Sequence, residues 1–203
     1  MIHVIDYKIG NIGSVVNMLN YLGAKVVVAN RPEDIEKASK LILPGVGAFD
    51  TGANALKNTG FNDAILEAVH GRNATVLGIC LGMQLLMEYS EEGDCPGLGL
   101  FAGGVKKIPV NNESMRIPHM GWNTVEIVKA NSLINNCGDA QHRFYFVHSY
   151  FVDCIDSQDV IGLTSYGSKF ASMIEKDNVL GVQFHPEKSH RFGKELFRNF
   201  LAA

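Results

Sequence analysis

The stretch TVLGICLGMQLLME, residues 75–88, sets a cysteine among glycines in an otherwise apolar run. Cys80 stands where a strand over 75–79 should give way to a helix over 81–90. A side chain at such a turn is lifted out of the sheet, and Gly78 and Gly82 remove the groups that would crowd it. This is the pattern of a nucleophile elbow, with cysteine in place of serine. The first N–H groups of the following helix favour the thiolate. A buried structural cysteine is the ordinary alternative, and it is the one expected for Cys95, Cys137 and Cys154. Cys80 therefore needs a base. GVQFHPEKS, residues 181–189, offers one where a strand runs into His185-Pro186-Glu187. Pro186 holds His185 out of helical torsions. Alternate residues of an extended segment share a face, so Glu187 can orient the His185 ring and stabilise its charged form. LILPGVGAF, residues 41–49, is another strand end, broken at Gly45-Val46-Gly47. Thioester chemistry builds negative charge on an oxygen, which the backbone N–H of Leu81 and one from 45–47 could receive. Taken alone, PGVG is also an ordinary flexible turn.

These groups need a frame. Residues 2–6 read as a strand and 12–23 as a helix, followed by strands over 24–30 and 40–45 and a helix over 61–71. A helix starts at Pro32. Such alternation predicts parallel βαβ units. Beyond residue 98 the segments GGVKKIPV, WNTVEIV, RFYFVHSYFVD, VIGLTSYG, KFASMIEKD and VLGVQFHP are strand-like. Hairpin turns fall at Tyr166-Gly167-Ser168 and Asp177-Asn178, and a helix over 193–203 follows. The expected fold is α/β: a doubly wound, mostly parallel sheet flanked by helices, with a β-rich second half and one domain over 1–203. A domain of 203 residues buries roughly 70% of the surface its unfolded chain exposes, so it needs no staples.

Bulk properties narrow the function. The net charge is −3 with no basic stripe, so nucleic acid is not an expected partner. No apolar run approaches the ~18 residues of a membrane helix, and no leader pattern opens the chain, so a cytoplasmic protein is expected. The cysteines lack C-x-x-C spacing and the histidines lack H-E-x-x-H spacing, which predicts no metal site, and no cofactor is expected.

The three chemical segments together resemble the triad (class I) glutamine amidotransferases. GICLGMQ resembles that family's nucleophile motif, FHPE its His-x-Glu motif, and LPGVGAF its oxyanion strand. The resemblance spans the chain in the right order. It implies a flavodoxin-like sheet, a triad of Cys80, His185 and Glu187, and an oxyanion hole from backbone at Gly45, Val46, Gly47 and Leu81. It implies that Gln84 and Glu92 hold a glutamine substrate, with His148, Ser149 and Tyr150 beside it. IPHMGWN (117–123), DYKIGN (6–11) and FYFVHSY (144–150) resemble segments of the glutaminase subunits of imidazole glycerol phosphate synthases. That resemblance implies a heterodimer with a (βα)₈-barrel cyclase, which takes up the ammonia in histidine biosynthesis. Ammonia must leave Cys80 unexposed to solvent, so the partner face is expected on the triad side, at Asn11, His119, Met120, Trp122 and Lys188. Lys8 departs from the glycine usual in DYGxGN.

Three other readings stay open on sequence. A paralogous glutaminase could serve a barrel that aminates a surface-polysaccharide sugar. A non-catalytic regulator could keep the fold, although it has no need of Cys80, His185 and Glu187 together. A cysteine peptidase could share the topology, although Gln84, Glu92 and PHMGWN favour a glutaminase.

Overall fold

The computed structural model describes residues 1–10, 12–109, 115–134 and 141–203. The first part of the chain forms β1 (Ile2–Ile5), α1 (Ile12–Tyr21), β2 (Val26–Ala29), β3 (Lys40–Gly45), α2 (Phe49–Thr59), α3 (Phe61–His70) and β4 (Thr75–Cys80). Then come α4 (Leu81–Leu85), β5 (Met87–Ser90), β6 (Phe101–Lys107), β7 (His119–Ile127), β8 (His142–His148) and β9 (Tyr150–Cys154). β10 (Val160–Tyr166), β11 (Ser168–Lys176), β12 (Val179–Val182) and α5 (His190–Ala202) complete it. The main path of the sheet is β2-β1-β3-β4-β12-β11-β10-β7-β8, and β5, β6 and β9 branch from it at β11. The five strands from β2 to β12 are parallel, and the path from β12 to β8 is antiparallel. The doubly wound parallel centre and the β-rich second half are as expected. No helix among the described residues is long and apolar enough to cross a membrane.

Strand alternation divides the apolar side chains between two faces. Leu41, Leu43 and Val76 point to the face covered by α2 and α3, where Leu56, Phe61 and Ile65 meet them. Ile42, Leu77 and Ile79 point to the other face, against Val15 and Leu19 of α1 and Leu196, Phe197 and Phe200 of α5. Each fully buried side chain of this kind contributes about 1.5–3 kcal/mol. The central strands are thus apolar on both faces, and function is left to their ends.

Four local expectations change. The helix expected over 81–90 stops at Leu85, because Met87 and Ser90 pair with Phe101 and Val105 in the sheet; that pairing overrides the helical propensity of the segment. The run 143–153 breaks at Ser149, since β8 pairs with β7 whereas β9 pairs with β6 and β11. The helix at Pro32 is a single 3-10 turn, Pro32–Ile35. α2 was not expected; its Gly52 lets it approach α4, where an added Cβ would lie 3.0 Å from Leu81 Cδ2. Lys8 takes the left-handed φ of 69° that suits glycine, and its N–H donates to Asp6 Oδ1 at 3.0 Å to hold the turn.

Candidate active site

β4 lies between β3 and β12, with Gly45 opposite Cys80 and Val182 opposite Ile79. The expected nucleophile, oxyanion and His-x-Glu segments therefore leave the sheet side by side, at its carboxyl edge, where open parallel sheets place ligands. Cys80 has φ 55° and ψ −109°, a strained conformation for a residue with a side chain, and such strain costs about 1–3 kcal/mol. The glycines beside it allow the turn. A Cβ on Gly82 would run into the Leu43 carbonyl, and one on Gly78 would come 2.7 Å from the Gly82 carbonyl oxygen.

The Cys80 side chain makes only long contacts. Sγ lies 3.9 Å from the Val147 carbonyl, and Gln183 Nε2 donates to it at 3.8 Å. His185 is held from several sides: its N–H donates to Tyr145 O at 2.9 Å, and its carbonyl accepts from Ser189 Oγ at 2.6 Å. His185 Nδ1 donates to Glu187 Oε1 at 2.7 Å, with both side chains almost fully buried. His185 Nε2 and Glu187 Oε2 make no hydrogen bond among the described residues. Burial works against a charged His185 ring, but the Cys80 sulfur and the Glu187 carboxylate outweigh it and raise its pKa well above the ordinary value.

A cavity of about 270 Å³ opens in front of these groups. Cys80 and His185 line it, with Val46, Gly47 and Leu81 on one side. Gln84, Glu92, His148, Ser149 and Tyr150 also line it, so all the expected glutamine-binding residues meet in one place. Gly45 is buried behind this wall. Gln84 Nε2 donates to Tyr150 O at 3.0 Å and to Gln183 Oε1 at 3.1 Å, which leaves its own Oε1 as an acceptor. Glu92 Oε2 accepts from the Phe49 N–H at 2.8 Å, at the first turn of α2.

Behind Tyr150 runs a chain of neutral imidazoles. His148 Nδ1 lies 2.8 Å from Tyr150 O and must donate to it. His148 Nε2 then accepts from His119 Nδ1 at 2.9 Å, and His119 Nε2 accepts from Asn123 Nδ2 at 3.2 Å. Burial lowers the pKa of His148 to about 3, with smaller contributions from the Tyr150 carbonyl, which raises it, and from His119 and His185, which lower it. Burial lowers His119 to about 4; its ring lies stacked on Phe146 and Tyr166, with centroids at 4.8 and 4.0 Å.

The expected partner face needs one correction. His119 is buried, because it points to the opposite side of β7 from Met120 and Trp122. Met120 is 62% and Trp122 40% exposed, and Trp122 stacks on His190 at 5.6 Å. Lys188 is exposed and makes no ion pair among the described residues. Asn11 lies outside the described residues. Gln183 and Pro118 are not among the site residues expected from sequence, whereas Val147 belongs to the VHSY backbone expected beside the substrate. Gln183 was findable, since it lies two residues before His185 in an extended segment and is polar within an apolar strand. Pro118 carries no chemical signal in its side chain.

The family model "Glutamine amidotransferase class-I" matches residues 3–203. The chain is 48% identical to the imidazole glycerol phosphate synthase subunit HisH 2 of Methanococcus maripaludis, over 99% of this chain and 98% of that one. It is 47% identical to the subunit HisH 2 of Pseudomonas aeruginosa over the same shares. The subunit HisH of Leptospira borgpetersenii is 40% identical over the full length of both chains. Among solved structures, one described as a glutamine amidotransferase matches with a TM-score of 0.77 over 99% of this chain and 97% of that one, at 20% identity. PurLQS from Thermotoga maritima matches with a TM-score of 0.76 over the same shares, also at 20% identity; these two likenesses concern the fold. The chain belongs to the class-I glutamine amidotransferase family and, within it, to the family of the HisH subunits.

Proposed function

We propose that the chain is the glutaminase subunit of an imidazole glycerol phosphate synthase, acting as one amidotransferase domain over residues 1–203 in the cytoplasm. The observation that carries this reading is the cavity lined by Cys80 and His185, with Glu187 bonded to the far side of the imidazole. The Cys80 thiolate attacks the side-chain amide carbon of glutamine, forming a sulfur–carbon bond and an oxyanion. Backbone N–H groups of Leu81 and of residues 45–47 stabilise that charge; losing one such donor costs on the order of 10²–10³ in rate. His185 gives its Nε2 proton to the leaving nitrogen, the carbon–nitrogen bond breaks, and ammonia departs. Water then attacks the thioester with His185 as base, the sulfur–carbon bond breaks, and glutamate leaves. Glu187 keeps the ring oriented. The free Gln84 Oε1 and the second oxygen of Glu92 suit the ammonium of the substrate, and the backbone of 148–150 its other end. The ammonia passes to a (βα)₈-barrel cyclase docked over Met120, Trp122 and Lys188. The Lys188 ammonium suits an acidic side chain on that partner.

The names of the relatives support a second reading. Two of them carry the number 2 in their names, a numbering that suits organisms with more than one such subunit. A second copy is where a barrel that aminates a surface-polysaccharide sugar would be served. Both readings require the same glutaminase site. A glutamine-like electrophile tests that site: limited alkylation followed by peptide mapping should label Cys80 at least ~10-fold faster than Cys95, Cys137 or Cys154, because reactivity follows thiolate character and access. Preferential labelling of another cysteine would overturn the assignment.

A further inference from the structure

Tyr7 follows β1 in the loop 6–10 and is fully buried. Its hydroxyl makes no hydrogen bond among the described residues. A buried hydroxyl left unpaired destabilises a fold by about as much as a lost hydrogen bond, and phenylalanine would fill the same space without that penalty. The place of the hydroxyl is specific. A Cβ on Gly45 would collide with it, and would also come 3.0 Å from Leu81 Cβ and 3.2 Å from the Gly82 nitrogen. The hydroxyl thus sits between the start of the 45–47 loop and the turn that carries Cys80. It is close enough to Cys80 that, after burial itself, a negative sulfur is the next cause raising the Tyr7 pKa. Loop 6–10 touches the same point a second time, since a Cβ on Gly10 would lie 3.3 Å from Gly45 Cα. The backbone there has groups to offer. β1 pairs with β3 only at Leu41 and Ile42, whereas β4 pairs with β3 as far as Gly45. Beyond Ile42, β3 therefore has β4 on one side and, on the other, the loop that carries Tyr7.

We propose that Tyr7 is a positioning residue for the backbone of residues 45–47: in the geometry that turns over glutamine, its hydroxyl donates to a carbonyl of that loop. The peptide unit is rigid and trans, so fixing a carbonyl toward Tyr7 fixes the N–H of the same unit in the opposite direction. A donor can in this way be aimed without a side chain at Gly45. On this proposal the unpaired hydroxyl marks the chain alone as holding the loop short of that geometry. This inference rests on the glutaminase reading given above.

The test is Tyr7→Phe, measured as glutamine hydrolysis by the complex with the barrel cyclase and its nucleotide, and as thermal unfolding of the chain alone. The variant is expected to lose about 10-fold or more in kcat with KM within two-fold, since one misaimed oxyanion donor acts on the transition state. Its Tm should be unchanged or higher by about 2–4 °C, because a buried unpaired polar atom has been removed. A kcat within two-fold of the wild type would overturn the proposal. So would a loss of kcat accompanied by a lowered Tm, which marks a merely structural hydroxyl. A wild-type complex that releases no glutamate would instead overturn the glutaminase reading, and this inference with it.

Discussion

The candidate residues Cys80, His185 and Glu187 are legible from type and spacing, although only Cys80 ends a strand: β12 stops at Val182, and Glu187 reaches the His185 ring from a 3-10 turn, Pro186–Lys188, rather than from the expected extended segment. What spacing could not give was the inner support. Gln183 bonds both Cys80 and Gln84, and His119 bonds His148, contacts between segments far apart in the chain. His119 shows how a strand parts a sequence group: it is adjacent to Met120 and near Trp122 in the chain, yet β7 sends it to the opposite, buried side. The imidazole chain makes a pH prediction. His119 and His148 have folded pKa values lowered to about 4 and about 3, below the unfolded value of 6.5. Their contribution to stability is therefore complete above pH ~6.5. It is lost as pH falls toward 4, because the unfolded chain binds protons that the fold refuses. In NMR titrations the ring signals of both residues should stay in the neutral form from pH 8 to 5, while Tm falls across the lower half of that range. Midpoints near 6.5 for either ring would refute the burial-lowered pKa values and the pH dependence drawn from them.

The decisive element is the turn from β4 into α4. Gly78 and Gly82 clear space around Cys80, and the Gly82 and Leu43 backbones are what a Cβ on each would strike. Gly82→Ala should destabilise the chain by about 1–3 kcal/mol, the usual range for overpacking, and by more if β3 cannot move aside. It should also lower kcat by ~10-fold or more, since Leu81 and Gly45 shift with that contact. Chemical denaturation and glutaminase kinetics check this together; a variant equal to the wild type in both would show that the turn has slack. The lengths of elements were less legible than their order. MQLLMEYS carries helical residues, yet β6 takes Met87 and Ser90 into the sheet, a pairing no local window contains. The break at Ser149 has the same origin, and it is what turns the backbone of 148–150 along the cavity wall.

At the scale of the molecule, the alternation of strands and helices was enough to foresee a doubly wound sheet. The order of strands was not, because the placement of β12 beside β4 depends on a contact more than a hundred residues apart in sequence. That placement is what joins the cysteine to the histidine. The proposed partner face gathers exposed Met120 and Trp122 with Lys188, which makes no ion pair among the described residues, on the side where the proposed ammonia transfer would take place. The most direct test of the account is glutamate release from glutamine, followed for the chain alone, for its complex with the barrel cyclase and nucleotide, and for the same complex carrying Cys80→Ser. The chain alone should be slow. The complex should be faster by on the order of 10²–10³, the worth of one oxyanion donor brought into line. The Cys80→Ser complex should assemble and release no glutamate above background. Release by that complex at the wild-type rate would contradict the account.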